Sequence, residues 1–383
     1  MPWEETTRMS QRGRFVLDFE SCLYTMSELC ERYAISRKTG YKWAERYAVE
    51  GFEGLRDRSR RAKSCPHRTQ KDLEERLVEL RRTHPHWGPR KLLAWWQKRS
   101  PLEDWPAAST VGDILKRHGL VEPRERARRK WQHPAGAQVV AGRSNEVWST
   151  DFKGQFRTGD RRLCYPLTVA DGYSRYLLGL KGQSSVAGEL TWPEFERVFR
   201  EYGLPDRMRM DNGVPFASQA VGGLSYLSLR WIKLGIQLER IEPGHPEQNG
   251  RHERMHRVLK AETARPPAAD AASQQERFDR FRQEYNEERP HEALAQKAPA
   301  ELYQPSSRSY PEQIPKPEYP GHFEVRSVHH GGEIKWRGRH LFISEVLHGE
   351  RVGLEEYDDG LWALYFGTVL LARFDERDPE LHG

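Results

Sequence analysis

Cysteine is scarce: four residues, at positions 22, 30, 65 and 164, in a chain of 383. No pair has the CxxC spacing of a zinc site, and four scattered thiols cannot form a disulfide framework, so stability must come from apolar packing. Long hydrophobic runs are missing too, and nothing approaches the ~20 apolar residues of a membrane span. The opening segment, MPWEETTRMSQRGRF, lacks the apolar stretch of a secretory signal. The expected location is the cytoplasm, with no membrane partner.

What is abundant is charge. Charged residues make up 31% of the chain against 37% hydrophobic, which suits a soluble multidomain protein with a highly charged surface. The net charge of +6 conceals an asymmetry: residues 1–140 carry 29 Lys and Arg against 19 Asp and Glu, whereas 141–383 carry 33 against 37. A basic front half suits a polyanionic partner, because neutralising phosphates releases counterions.

The front reads as three short helices, Gly13 to Tyr24, Ser27 to Tyr33 and Arg37 to Tyr47, with Ala34-Ile35-Ser36 as the turn and Ser36 as a cap. Two short helices, a tight turn and a basic third helix form a helix-turn-helix pattern over 1–62. Its third helix offers Arg37, Lys38, Thr39, Tyr41 and Lys42 to DNA, while Ile35 and Trp43 belong to the core. A basic tract, Arg56 to Lys63, leads to a second helical DNA-binding unit over 66–130, with helices at Lys71 to Thr83, Arg90 to Arg99 and Val111 to His118. Another basic tract, Pro123 to Lys130, follows.

From Asn145 the periodicity changes to strands at Glu146 to Phe152, Arg162 to Ala170 and Arg175 to Leu180. A helix at Ala187 to Tyr202, a strand at Arg207 to Asp211, a helical stretch up to Gly235 and a strand at Ile236 to Ile241 come next. Helices from about Asn249 to Ala264 and Gln274 to Glu287 complete an α/β core over 140–305. The tail, 320–376, shows about five short strands: His322 to His330, Glu333 to Trp336, His340 to Val346, Arg351 to Glu356 and Leu361 to Phe374. Gly-rich turns separate them, which reads as a small β-barrel.

Asp151 and Asp211 each close a strand, where an open sheet presents its ligands. Two such carboxylates are hard oxygen donors suited to Mg²⁺, with Mn²⁺ as substitute. A third acid has two candidates, Glu247 and Glu253, 35 and 41 intervening residues after Asp211. Spacing leaves both open. Glu247 lies among two prolines and two glycines, whereas Glu253 falls within a helix that aligns it with Arg257 and Lys260 and turns Met255 and Leu259 inward. The rigidity a metal ligand needs favours Glu253. Asp151, Asp211 and Glu253 are thus the expected catalytic metal ligands, with Arg257 and Lys260 on phosphates. Asp171 reads as a turn residue, and His245, His252 and His256 as phosphate or substrate contacts.

Four segments in order, Trp148-Ser149-Thr150-Asp151-Phe152, Asp171-Gly172-Tyr173-Ser174-Arg175, Asp211-Asn212-Gly213 and His245-Pro246-Glu247-Gln248-Asn249-Gly250-Arg251-His252-Glu253, resemble the core of insertion-sequence transposases related to retroviral integrases. In that family the last acid follows an HPxxNG-like loop with a basic residue seven positions on, which matches Glu253 and Lys260. The interval from Asp211 is six residues longer than the family's usual 35, and the extra residues are expected around Gly222 to Ser225. The resemblance implies a ribonuclease-H-like fold, Mg²⁺, cleavage and strand transfer at terminal-repeat DNA, and a homo-oligomeric synaptic complex on end and target DNA. Two other readings are a non-catalytic DNA-binding regulator and a metal-dependent nuclease or resolvase. The first predicts loss of a carboxylate, and all three remain; two DNA-binding units and a tail domain speak against the second.

Overall fold

A computed structural model describes residues 8–58, 68–121, 139–218, 221–242 and 250–382. Cys65, the basic tracts at 59–63 and 123–130, and the loop 243–249 with His245 and Glu247 lie outside the described residues. The chain forms two compact units, Met1–Thr69 and Gln70–Gly383.

The first unit contains α1 (Arg8–Glu20), α2 (Met26–Arg32) and α3 (Arg37–Glu50). Thr25 starts α2 through a capping box: its hydroxyl accepts from the Glu28 amide, and the Glu28 carboxylate accepts from the Thr25 amide. Ser36 caps α3 by accepting from the Thr39 amide. Phe15, Val16, Met26, Leu29, Cys30, Trp43 and Leu55 form its core. Gly40 on α3 allows the close crossing of α2, since a Cβ there would stand 2.7 Å from the Cys30 sulfur and 2.8 Å from the Met26 sulfur. This is the expected helix-turn-helix arrangement.

The second unit opens with α4 (Lys71–Thr83), α5 (Pro89–Arg99) and α6 (Ala108–Arg117), packed around Leu77, Trp87, Leu92 and Ile114. Ion pairs tie this bundle to the 284–301 segment: Arg90 to Glu292 at 2.6 Å, Lys98 to Glu301 at 3.1 Å, and His84 beside Glu284 at 2.9 Å.

A mixed sheet follows: β1 (Val147–Phe152), β2 (Phe156–Arg157), β3 (Leu163–Asp171), β4 (Leu177–Gln183), β5 (Arg207–Met210) and β6 (Gln237–Arg240). β1 lies at its centre, antiparallel to β3 and parallel to β5, with β4 beyond β3 and β6 beyond β5. Alternation along the strands assigns each face a partner. Trp148, Leu167, Val169 and Met208 pack on α7 (Gly188–Tyr202) and α8 (Tyr226–Lys233). Cys164, Leu177 and Leu180 pack on α9 (Gly250–Thr263) and α10 (Ala271–Gln283). The result is the ribonuclease-H-like layered core that the sequence implies.

The tail departs from expectation. Leu361 to Phe374 is two strands, β11 (Leu361–Phe366) and β12 (Val369–Asp375), turned by Gly367 and Thr368. They join β7 (Glu324–Ser327), β10 (Arg351–Asp358) and β13 (Asp378–His382) in one antiparallel sheet, while β8 (Glu333–Trp336) and β9 (Arg339–Phe342) form a separate hairpin. Among the described residues this sheet is open, its end strands β13 and β7 each paired with one neighbour, rather than a closed barrel. Its apolar face is covered from two sides: Ile334, Trp336 and Leu341 of the hairpin, and Leu229 and Ile232 of α8 with Leu224 before it, share one core with Leu354, Trp362 and Phe374.

Gly40→Val should clash with Cys30 and Met26 and lower the opening free energy of α3 by about 2 kcal/mol. Amide hydrogen exchange across α2 and α3 measures it, and unchanged protection would show that the crossing has room to spare.

Candidate active site

β1 and β5 run parallel with Val147 level with Arg207 and Ser149 level with Arg209. β5 ends at Met210, so Asp211 stands just past the exit of the strand next to the one that carries Asp151. On the other side Asp151 is paired with Thr168 of β3, so the two side chains share the sheet face that α9 covers.

α9 reaches this face because His252, Met255, His256 and Leu259, spaced i, i+3, i+4 and i+7, are all buried. Its other side carries Glu253, Arg257 and Lys260. These three line a cleft of about 500 Å³ with Asp151, Lys153, His256 and Arg265. Sequence reasoning therefore brought Asp151, Glu253, Arg257 and Lys260 to one place. Asp211 stands beside the cleft: the Gly213 amide donates to its Oδ1 at 3.1 Å, and Asn212 Nδ2 donates to the Ile241 carbonyl at 2.6 Å, linking the exits of β5 and β6.

The Asp151 side chain retains 22% exposure. Burial, then the negative charges of Asp211 and Glu253, push its carboxyl up to about 7 from the usual 3.8, against the pull of the Phe152 amide and Lys153. A buried carboxyl raised by two neighbouring acids, with basic side chains around the opening, is the environment in which a divalent cation would be welcome. Among the described residues, no three His, Cys, Asp or Glu side chains converge closely enough to make a ready metal cage. Three carboxylates without a cation repel one another, which opposes such convergence.

The histidines on α9 depart from expectation. His252 and His256 are 3% and 2% exposed, His252 packed beneath the helix and His256 at the inner wall of the cleft, rather than standing out as surface contacts. Burial holds His252 down at about 3, and burial with the adjacent His252 and Lys153 lowers His256 further, so both are neutral. His256 Nδ1 lies 3.5 Å from Asp151 Oδ2, a contact without a salt bridge's charge. The i, i+3, i+4 and i+7 spacing with Met255 and Leu259 was the signal that placed them inside. Asp171 is 2% exposed and structural, as expected: its carboxylate accepts from the Asn145 amide at 2.8 Å, the Ser174 amide at 2.7 Å and the Ser174 hydroxyl at 2.6 Å.

In the first unit, Arg37, Lys38, Tyr41 and Lys42 lie on the exposed side of α3, Tyr41 at 58%. Thr39 is half-buried and its hydroxyl is 2.9 Å from that of Ser36, so it belongs to the cap as much as to the surface. Lys42 Nζ sits 4.5 Å from the Trp43 ring, a cation–π contact that holds its stem.

Comparison with known sequences agrees with this layout. Residues 141–246 and 234–299 match the family described as Integrase core domain. Residues 11–63 match a Helix-turn-helix domain, 39–115 a Homeodomain-like domain, and 323–380 the IS481 family transposase, C-terminal domain. Helix-turn-helix, integrase-core and insertion-element transposase C-terminal segments thus follow one another along the chain. It is 28% identical over 232 residues to the Insertion element IS407 uncharacterized 31.7 kDa protein of Burkholderia multivorans, covering 60% of this chain and 80% of that protein. With the Insertion element IS476 uncharacterized 39.2 kDa protein of Xanthomonas euvesicatoria it shares 27% over 242 residues, 60% of this chain and 64% of that one. Among solved structures, the simian T-cell lymphotropic virus intasome in complex with PP2A regulatory subunit B56 gamma aligns at 16% identity and a TM-score of 0.38, covering 77% of this chain and 97% of that one. No helix among the described residues is long and apolar enough to cross a membrane.

Because the folded Asp151 carboxyl titrates near 7 rather than 3.8, its charge destabilises the metal-free fold increasingly as pH rises from 4 to 7. Asp151→Asn in EDTA should therefore stabilise the protein, by about 2 kcal/mol at pH 8 and less at pH 5.5. Thermal midpoints at the two pH values decide it; a variant less stable than wild type at pH 8 would contradict the charge crowding.

Proposed function

We propose that the chain is a DNA transposase that cuts and joins DNA at the ends of its element, with Asp151, Asp211 and Glu253 as ligands for Mg²⁺ or Mn²⁺. The observation that carries this reading is the Asp151 carboxyl, buried and crowded by Asp211 and Glu253 in a cleft rimmed with Lys153, Arg257, Lys260 and Arg265. Three carboxylates supply the hard oxygen donors a divalent cation prefers, so the donor set fits. When bound, such ions activate a water or 3′-hydroxyl and stabilise the leaving oxygen of an in-line phosphoryl displacement.

The chain's own residues do the rest. Asp151 on the rigid centre of the sheet and Glu253 on α9 fix two sides of the cleft, and Asp211 adds charge from the neighbouring strand. Arg257 and Lys260, one and two turns beyond Glu253, hold phosphates beside it. α3 of the first unit reads duplex DNA through Arg37, Lys38, Tyr41 and Lys42, with Thr39 near the backbone. Labour divides along the expected domains at 1–62, 66–130, 140–305 and 320–376: end recognition in front, cutting and joining in the core. The tail contacts DNA or a neighbouring protomer in a homo-oligomeric synaptic complex in the cytoplasm.

The test is end cleavage and strand transfer on labelled DNA from the borders of the gene, with Mg²⁺, Mn²⁺ or EDTA. Asp151→Asn, Asp211→Asn and Glu253→Gln should each lower cleavage at least ~10³-fold, while end binding stays within about twofold. A dead Glu247→Gln beside an active Glu253→Gln would move the third acid to Glu247. Tight end binding with no cleavage in any metal would favour the regulator reading.

A further inference from the structure

A buried polar node lies directly beneath the cleft. Thr168 Oγ1 is 2.9 Å from the Asp151 carbonyl oxygen, 2.6 Å from His252 Nε2 and 2.8 Å from His256 Nε2. His252 Nδ1 is 3.0 Å from Ser149 Oγ. Two strands and one helix therefore meet at a single hydroxyl.

We propose that Thr168, His252 and His256 are positioning residues, a hydroxyl–imidazole node that locks α9 onto β1 and β3 in the one rotational phase that presents Glu253 to the Asp151 cleft. The inference rests on the proposed roles of Asp151 and Glu253.

Proton counting fixes the arrangement. A hydroxyl donates one hydrogen bond and accepts two. The Asp151 carbonyl can only accept, so the Thr168 proton goes there. Both imidazoles must then donate from Nε2, which fills the capacity of Thr168 Oγ1. On the far side of the rings, His252 Nδ1 stands 3.0 Å from Ser149 Oγ, whose hydroxyl also reaches the Ala170 carbonyl at 3.4 Å, and His256 Nδ1 stands 3.5 Å from Asp151 Oδ2. The node thus ties both imidazoles to one atom of β3 through their Nε2 nitrogens.

Helix geometry explains why this matters. Successive residues on a helix are about 100° apart, so a slip of one residue would swing Glu253 out of the cleft. Met255 and Leu259 hold α9 by apolar contact, which is non-directional and tolerates sliding. Two imidazoles one turn apart, both bonded to one oxygen, do not. The oxygen belongs to the residue paired with Asp151 in the sheet, so a single atom relates the helical acid to the strand acid.

The test begins with the native full-length chain labelled with ¹⁵N-histidine, in EDTA. His252 and His256 should both carry slowly exchanging protons on Nε2; an unprotonated Nε2 on either would overturn the node. Thr168→Val and Thr168→Ser are then compared for cleavage, end binding and Mn²⁺ affinity by calorimetry without DNA. Thr168→Val should weaken Mn²⁺ binding and slow cleavage by about tenfold or more, with end affinity within about twofold, and Thr168→Ser should restore most of both. Glu253→Gln runs alongside. Inactive Glu253→Gln beside a Thr168→Val with wild-type cleavage and Mn²⁺ affinity would overturn the node alone. An active Glu253→Gln would remove the reading on which it rests. Where Thr168→Val does not fold, the Nε2 protons of the native chain decide.

Discussion

The register of β1 is the constraint from which the rest of the core follows. Strand residues alternate between faces, so a slip of one residue would turn Trp148 out of its apolar layer and carry Asp151 away from α9. Asn145, just before β1, holds the register. Its Oδ1 accepts from Trp148 Nε1 and the Tyr303 hydroxyl, both at 3.0 Å, and its amide donates to Asp171. Asp171 in turn accepts from Ser174, closing the turn between β3 and β4. The Asp171-Gly172-Tyr173-Ser174-Arg175 segment therefore serves the site from a distance, by fixing the strand on which Asp151 stands.

Much of this was legible because it depends on local periodicity. Asp151 and Asp211 could be placed at strand ends, and Glu253 on a helix with Met255 and Leu259 inside, from alternation and helical spacing alone. The preference for Glu253 over Glu247 rested on prolines and glycines, which are local signals too. The burial of His252 and His256 was not seen, because the preference of imidazole for water or core depends on whether a partner waits inside. That partner, Thr168, is 84 residues from His252, and only the sheet pairing brings it there.

The tail was misread for a related reason. Leu361 to Phe374 is apolar enough to suggest one long strand, and the signal that divides it is small: Gly367 at φ 57 in a two-residue turn that pairs Phe366 with Val369. Closure of the sheet was equally beyond local reading. Whether five strands curl on themselves depends on what else can cover their apolar face, and here the β8–β9 hairpin and α8 do so. That helix turns Leu227 and Trp231 to the catalytic layer and Leu229 and Ile232 to the tail, so the two sheets share one element.

Charge is separated over a short distance on α9, and this bears on how two ligands of opposite sign would share the cleft. Glu253 lies one turn before Arg257, an orientation that favours the helix, and Lys260 extends the basic side away from Asp151. Without a cation, burial and then the charges of Asp211 and Glu253 hold the Asp151 carboxyl up at about 7. On the proposed reading a cation would complete the ionisation and lower the local negative potential that repels DNA. Phosphates on Arg257 and Lys260 would in turn bring further oxygen donors toward the ion. Metal and DNA would each improve the site for the other, which is linkage between two ligands and needs no moving part.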